Sequence, residues 1–214
     1  MSDITTISVG ALGTNCYLIT DDEGTGVLID PGAEPKKLES ILNRKQVALR
    51  AILLTHIHFD HLMAVPALLE KHPVPLYIPA LELPGLSDSQ RNGGYLIRRE
   101  ISIPAETAVP VEEGTRVTTA GLSFTVWHTP GHTAGSSCYL LEGADTLFSG
   151  DTLFYEEVGR TDLPTGSYPQ MLETLRRLAA YPGDLRVLPG HDQETTLEHE
   201  RRHNSYMREA VKGD

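Results

Sequence analysis

Short apolar runs that stop abruptly at polar or glycine-rich positions set the pattern of this chain. Ile4 to Val9, Cys16 to Thr20 and Gly26 to Asp30 are such runs bounded by turn residues, and they predict three strands. The last two are joined by the turn-rich Asp21-Asp22-Glu23-Gly24-Thr25, and Asp30-Pro31-Gly32 then breaks the chain. Pro35 suits the first position of a helix in which Leu38, Ile41, Leu42 and Lys45 keep helical spacing. The continuous apolar run Ala51-Ile52-Leu53-Leu54 predicts a buried strand. Leu62, Val65, Leu68 and Leu69 predict a helix after it, with Pro66 in its first turns, and Leu76 to Ile78 a further short strand. From Pro79 to about Glu106 the period dissolves into proline, glycine and polar residues, with Gly93-Gly94 and the basic pair Arg98-Arg99 inside it. That stretch predicts a long surface excursion: a substrate lid, a subunit contact or simply a variable loop.

Strands return at Arg116 to Thr119, Leu122 to Trp127, Ser137 to Leu141 and Thr146 to Phe148. A helix is predicted from Ser167, whose hydroxyl can cap it while Gln170 reaches back, with Met171, Leu172, Leu175 and Leu178 as its buried face. Arg186 to Leu188 reads as a last strand. Thr195 with Glu198 predicts a second capping box, before a polar closing helix whose Glu198 and Arg202 stand one turn apart on a solvated face. No repeat, linker or low-complexity segment interrupts this order, so residues 1–214 are expected to form a single domain.

Composition narrows the partners. A net charge of −11 argues against a nucleic-acid partner, since phosphate binding wants a basic face. The two cysteines, Cys16 and Cys138, both sit in apolar context, as expected of core thiols in a reducing compartment. The N-terminus has no basic region followed by an apolar signal core, and no apolar run approaches membrane-spanning length. The expectation is a soluble, cytoplasmic protein with no membrane partner.

The chemistry concentrates in Thr55-His56-Ile57-His58-Phe59-Asp60-His61, directly after the buried run. His56 and His58 fall on the same side of an extended segment and can clamp one metal, while Asp60 and His61 lie past the bend. The alternative, a polar loop that happens to be rich in histidine, accounts poorly for four potential ligands at this spacing. Three later runs repeat the arrangement: Phe124 to Trp127 leads to Thr129-Pro130-Gly131-His132, Leu147-Phe148 to Ser149-Gly150-Asp151, and Val187-Leu188 to Pro189-Gly190-His191. Glycine at such a strand end permits positive φ and close backbone approach. The candidate ligands suffice for two divalent metals: His56, His58 and His132 for the first, Asp60, His61 and His191 for the second, and Asp151 bridging. Imidazole and carboxylate suit zinc, with iron or manganese as alternatives. Such a pair can hold a hydroxide and lower the pKa of that water toward ~7. His72, His128, His199 and His203 are expected to serve the surface or the core.

These motifs, in this order and from Thr14-Asn15-Cys16-Tyr17 to the closing helix, resemble those of the metallo-β-lactamase-fold hydrolases. The resemblance implies an α/β fold, a four-layer αββα sandwich with a dinuclear site at one edge of its two sheets. Within that superfamily the chain is most similar to the short bacterial members of the hydroxyacylglutathione hydrolase (glyoxalase II) branch. Asp151 stands where β-lactamases tend to have a cysteine, and Val158-Gly159-Arg160-Thr161-Asp162-Leu163-Pro164 looks like the segment that follows the bridging aspartate in these proteins. His58 separates the chain from the diiron flavoprotein relatives, which place glutamate there. The activity implied is hydrolysis of a small acyl-thiol such as S-lactoylglutathione, with Asp60 orienting the metal-held hydroxide and taking part in proton transfer. Arg160 and Tyr155 are the implied substrate-binding residues, although Arg160 could equally pair with Asp162. An iron-dependent persulfide dioxygenase resembles the same motif set. Another ester or lactone substrate, or a non-enzymatic metal-binding role, is a further alternative.

Overall fold

The computed structural model describes residues 2–212. Its first half forms β1 (Asp3–Val9), β2 (Thr14–Thr20), β3 (Thr25–Ile29), α1 (Pro35–Lys45), β4 (Ala48–Leu53), α2 (Phe59–Leu62), α3 (Val65–Lys71), β5 (Leu76–Pro79) and β6 (Ala108–Val111). The second half forms β7 (Arg116–Thr119), β8 (Leu122–His128), β9 (Ser137–Leu141), β10 (Thr146–Gly150), α4 (Tyr168–Ala179), β11 (Arg186–Pro189), β12 (Thr195–Thr196), α5 (Leu197–His203) and α6 (Ser205–Lys212). One sheet has the order β1-β2-β3-β4-β5-β6 and the other β12-β11-β10-β9-β8-β7.

Alternation along the central strands builds the layers. Tyr17, Ile19, Ala51, Leu53, Tyr139 and Phe148 meet between the sheets. Cys16, Leu18, Ile52 and Leu54 point the other way, into a cluster with Leu38 and Leu42 of α1 and Leu68 of α3. Cys138, Leu147 and Val187 face Met171, Leu175 and Leu178 of α4 and Met207 of α6. Helices therefore cover the outer face of each sheet, and the result is the four-layer αββα sandwich. Strands buried on both faces need apolar residues at every position, which is why Ala51-Ile52-Leu53-Leu54 does not alternate. Cys16 and Cys138 are buried free thiols in different outer layers.

Some local expectations shift. The helix expected over Leu62 to Leu69 is two helices, because the Ala64 amide leaves the path to donate to Pro31 O (3.0 Å). The polar closing helix is likewise two, divided at Asn204. Its cap is Thr196, which accepts from the His199 amide (3.1 Å), because Thr195 gives its hydroxyl to Glu200 (2.6 Å). Ser167 caps α4 as expected. The strand β6 carries Pro110 and lies at a sheet edge, where a missing amide is tolerated. The stretch after Pro79 is more than a surface excursion: Glu82, Leu86, Asn92 and Ile103 are buried. Asn92 holds it over α2 by accepting from the Phe59 amide (2.8 Å) through its carbonyl. Among the described residues no helix is long and apolar enough to cross a membrane.

Candidate metal centre

Topology delivers the candidate ligands to one edge. β8 is antiparallel to β9, β9 antiparallel to β10, and β10 parallel to β11, so β8, β10 and β11 end on the same side. His132, Asp151 and His191 follow these three ends, and His56 and His58 follow β4 of the other sheet. Hydrogen bonds fasten the two sheets along this edge. Ser137 N donates to Thr55 O (2.9 Å) and Asn15 N to Gly190 O (2.7 Å). The hydroxyls of Tyr17 and Tyr139 donate to Pro189 O (2.6 Å) and Leu54 O (3.0 Å).

All seven side chains named from the sequence come together. Potential ligand atoms lie within 4.8 Å of one another in three groups: His56, His58 and His132; His56, His61 and Asp151; and Asp60, His61 and His191. Asp151 joins them. One carboxylate oxygen is 3.3 Å from His61 Nε2, and the other lies 3.4 Å from His132 Nε2 and 3.7 Å from His191 Nε2. His191 Nε2 is also 3.2 Å from Asp60 Oδ2.

His56 Nε2, His61 Nε2 and Asp151 Oδ1 are buried and make no hydrogen bond. An orphaned polar atom costs about 1–3 kcal/mol. Three orphans at one point, surrounded by further imidazole and carboxylate groups, fit a divalent cation pair. In the first group the protonation states of His56 and His58 agree, whereas against burial the neighbouring carboxylates raise the pKa of His61 and His191, favouring positive charge where a cation would sit. Burial lowers the pKa of His56, and burial with the nearby His132 lowers that of His58 to about 3, so both rings keep lone pairs for a cation at neutral pH. Burial opposes ionisation of Asp60 and Asp151, but the surrounding imidazoles together, His61 foremost, outweigh it in each, bringing Asp60 to about 2.

A second ring of groups aims the ligands. Asp30 is buried, and its carboxylate accepts from the Thr55 amide (2.8 Å), the Thr55 hydroxyl (2.6 Å) and His61 Nδ1 (3.0 Å). Thr55 Oγ1 in turn lies 3.1 Å from His56 Nδ1. Asp30 thus orients one histidine directly and another through a hydroxyl. His132 Nδ1 donates to Arg160 O (2.7 Å) and His191 Nδ1 to Leu12 O (3.2 Å), which turns each Nε2 toward the cluster. Thr14 Oγ1 donates to Asp60 Oδ2 (3.0 Å). Gly131 and Gly150 have positive φ (150° and 50°), as expected at strand ends. Gly190 is needed for space: a Cβ there would sit 2.2 Å from Asp151 Oδ1. Asp30, Thr55 and Thr14 were not singled out by sequence reasoning. The signal for Asp30 was an acid ending an apolar strand just before Pro31-Gly32.

Arg160 and Tyr155 lie outside the cluster. Arg160 forms a two-pronged pair with Asp162 (2.7 and 2.8 Å), and its link to the cluster is its carbonyl. Tyr155 stacks on His199 (4.9 Å between centroids), and His199 on His203 (4.5 Å). His128 Nε2 faces Ala134 O (2.9 Å), and His72 Nε2 faces Glu39 (3.0 Å). None of these four histidines belongs to a ligand group among the described residues.

Comparison with known proteins agrees with this architecture. The chain belongs to the metallo-beta-lactamase superfamily, whose family model matches residues 9–191. It is similar to the probable metallo-hydrolase YqgX of Bacillus subtilis, at 36% identity over 93% of this chain and 94% of that protein. It is also similar to hydroxyacylglutathione hydrolase GloC of Haemophilus influenzae, at 32% identity over 96% and 98%. Among solved structures it matches BLEG-1 B3 metallo-beta-lactamase (TM-score 0.88, 34% identity, 96% of this chain and 99% of that one). It also matches TTHA1623 in a di-iron-bound form (0.84, 38%, 94% and 99%) and ETHE1 from Myxococcus xanthus (0.78, 30%, 98% and 88%).

Proposed function

We propose that this protein is a metal-dependent hydrolase of thioesters of the S-lactoylglutathione type. The observation that carries the reading is the placement of the Asp151 carboxylate, with His61 at one oxygen and both His132 and His191 at the other, so that it touches both ligand groups. His56, His58 and His132 would hold one divalent cation, and Asp60, His61 and His191 the other, with Asp151 shared. When bound, such a pair supplies Lewis acidity and a water acidified toward pKa ~7.

The chain's own groups do the rest. Asp60, ionised at neutral pH and steadied by Thr14 Oγ1 and His191 Nε2, is the carboxylate that orients the attacking water and accepts its proton. Asp30, Thr55 and the Arg160 and Leu12 carbonyls keep the imidazoles from turning as charge moves. A thiolate leaves without strong acid assistance, so cleavage of this bond needs no separate general acid. The likeness to GloC supports the same substrate class. Zinc is the metal we assign, with iron as the competitor that TTHA1623 keeps open.

A second reading, oxygen-dependent oxidation of a persulfide at one iron, is favoured by the likeness to ETHE1. One experiment separates them. Natively purified protein is analysed for metal, then offered S-lactoylglutathione, a lactone, a β-lactam, and glutathione persulfide under oxygen. About two zinc ions per chain with thioester turnover is expected. One iron per chain with oxygen uptake on the persulfide would replace the proposal.

A further inference from the structure

A cavity of about 350 Å³ opens beside Asp60. Its walls are apolar: Leu12 from the β1–β2 turn, Phe59 and Met63 from α2 and its end, and Ile97 from the stretch after Pro79. Leu12 is 58% exposed, so its side chain is open to a ligand in the cavity. Arg99 stands at the rim, its backbone pinned by donation to Gly94 O (3.0 Å). No carboxylate among the described residues pairs with it, whereas Arg160 is already neutralised by Asp162. In a chain of net charge −11 the slot thus carries one unpaired cation, Arg99, with Asp60 as the other charged residue of its lining.

We propose that this slot binds one arm of the substrate, an apolar segment that ends in a carboxylate, with Arg99 as the residue that selects the charge. Asp60 lines the slot and also belongs to a candidate ligand group, so an arm seated against Phe59 lies next to the cluster. The apolar walls contribute affinity without direction, and the guanidinium contributes direction at a partly solvated rim. The inference rests on the hydrolase reading only for the bond that is cleaved; the slot and its charge preference stand on the cavity itself.

The test uses non-hydrolysable thioether analogues, so binding is read apart from turnover. Calorimetry on the metal-loaded protein compares a hexyl arm with one of equal length ending in carboxylate, placed first on the acyl side and then on the thiol side. Wild type should bind one carboxylate isomer about five- to ten-fold more tightly than the neutral analogue, a ratio set by a partly exposed charge-assisted contact. In Arg99→Ala the ratio should fall to about one, and in Arg99→Glu it should invert; the side that responds tells which arm occupies the slot. Arg160→Ala should retain the preference. A preference equal in wild type and Arg99→Ala, or absent in wild type, overturns the proposal. Thioesters of the same series are then assayed: preference with no turnover keeps the slot and rejects the hydrolase reading, and turnover with no preference does the reverse.

Discussion

Glu82 offers the sharpest perturbation of the centre from outside it. It is 5% exposed, in a stretch that looks like surface loop in the sequence. Its carboxylate accepts from the Thr133 hydroxyl (2.7 Å), the Gly135 amide (2.8 Å) and the Ile57 amide. Ile57 lies between His56 and His58, and Thr133 follows His132, so one side chain ties together the two loops that carry the first ligand group. In Glu82→Ala, Thr133 keeps Ser136 Oγ as a partner (2.7 Å), but the two amides lose their acceptor. At about 1–3 kcal/mol for each, the loss is roughly 2–6 kcal/mol of stability in the metal-free protein. Loosened support should also weaken metal binding at His56, His58 and His132 by roughly 10- to 100-fold. Glu82→Gln keeps one acceptor oxygen and should lose about 1–2 kcal/mol. The pH dependence has a definite sign. Burial raises the Glu82 pKa above its ordinary 4.5. The folded state then holds this proton more tightly than the unfolded chain. The wild-type advantage over Glu82→Gln is therefore fully present below pH 4.5 and declines as pH rises through the folded value. Urea unfolding of the metal-free proteins across this range measures the difference, and competition with a chelator measures metal affinity. If Glu82→Ala matched wild type within about 0.5 kcal/mol and kept its metal affinity, the loops would be held by something else and the reasoning would be refuted.

Three other substitutions probe the centre and its surroundings. His132→Ala should bind about one metal fewer per chain, and Asp151→Ala should weaken both positions together, each with loss of turnover and a folded core; metal analysis beside thermal unfolding checks this, and full metal content in both would dissolve the ligand assignment. Asn204 is buried at the break between α5 and α6, where Oδ1 accepts from the Tyr206 and Met207 amides (3.0 and 3.1 Å) and Nδ2 donates to Glu157 O and Glu200 Oε2 (3.1 and 2.9 Å). Asn204→Ala should cost about 3 kcal/mol and lower Tm by on the order of 10 °C, and a shift under about 2 °C would show the junction to be held by packing alone.

The candidate ligands were legible because each departs from its local background. His132, Asp151 and His191 each follow an apolar run and a glycine, a position where neither core packing nor solvation calls for a ligand type. The groups that hold them carry no such mark. Thr14 and Asp60 are 46 residues apart, and Glu82 and Gly135 are 53 apart; a threonine after a glycine, or a glutamate between two leucines, is unexceptional until the fold closes. The same limit explains the displaced cap. Thr195 and Thr196 are equivalent to a local rule, and the choice between them is made by Glu200, which is buried and takes the Thr195 hydroxyl. It also explains β6, whose Pro110 counts against a strand in a window of sequence and is harmless at an edge that only the whole sheet defines. Periodicity identified most strands but could not divide Leu62 to Leu69, since two short helices joined at Met63-Ala64 keep nearly the same apolar spacing as one. What a buried acid in an apolar, proline-rich stretch does offer is a question: it must find donors, and when the only elements near enough are the ligand loops, its answer is part of the site. Asp30 and Glu82 both satisfy that condition, the first where the local pattern indicated only a chain break and the second where it indicated only a surface excursion.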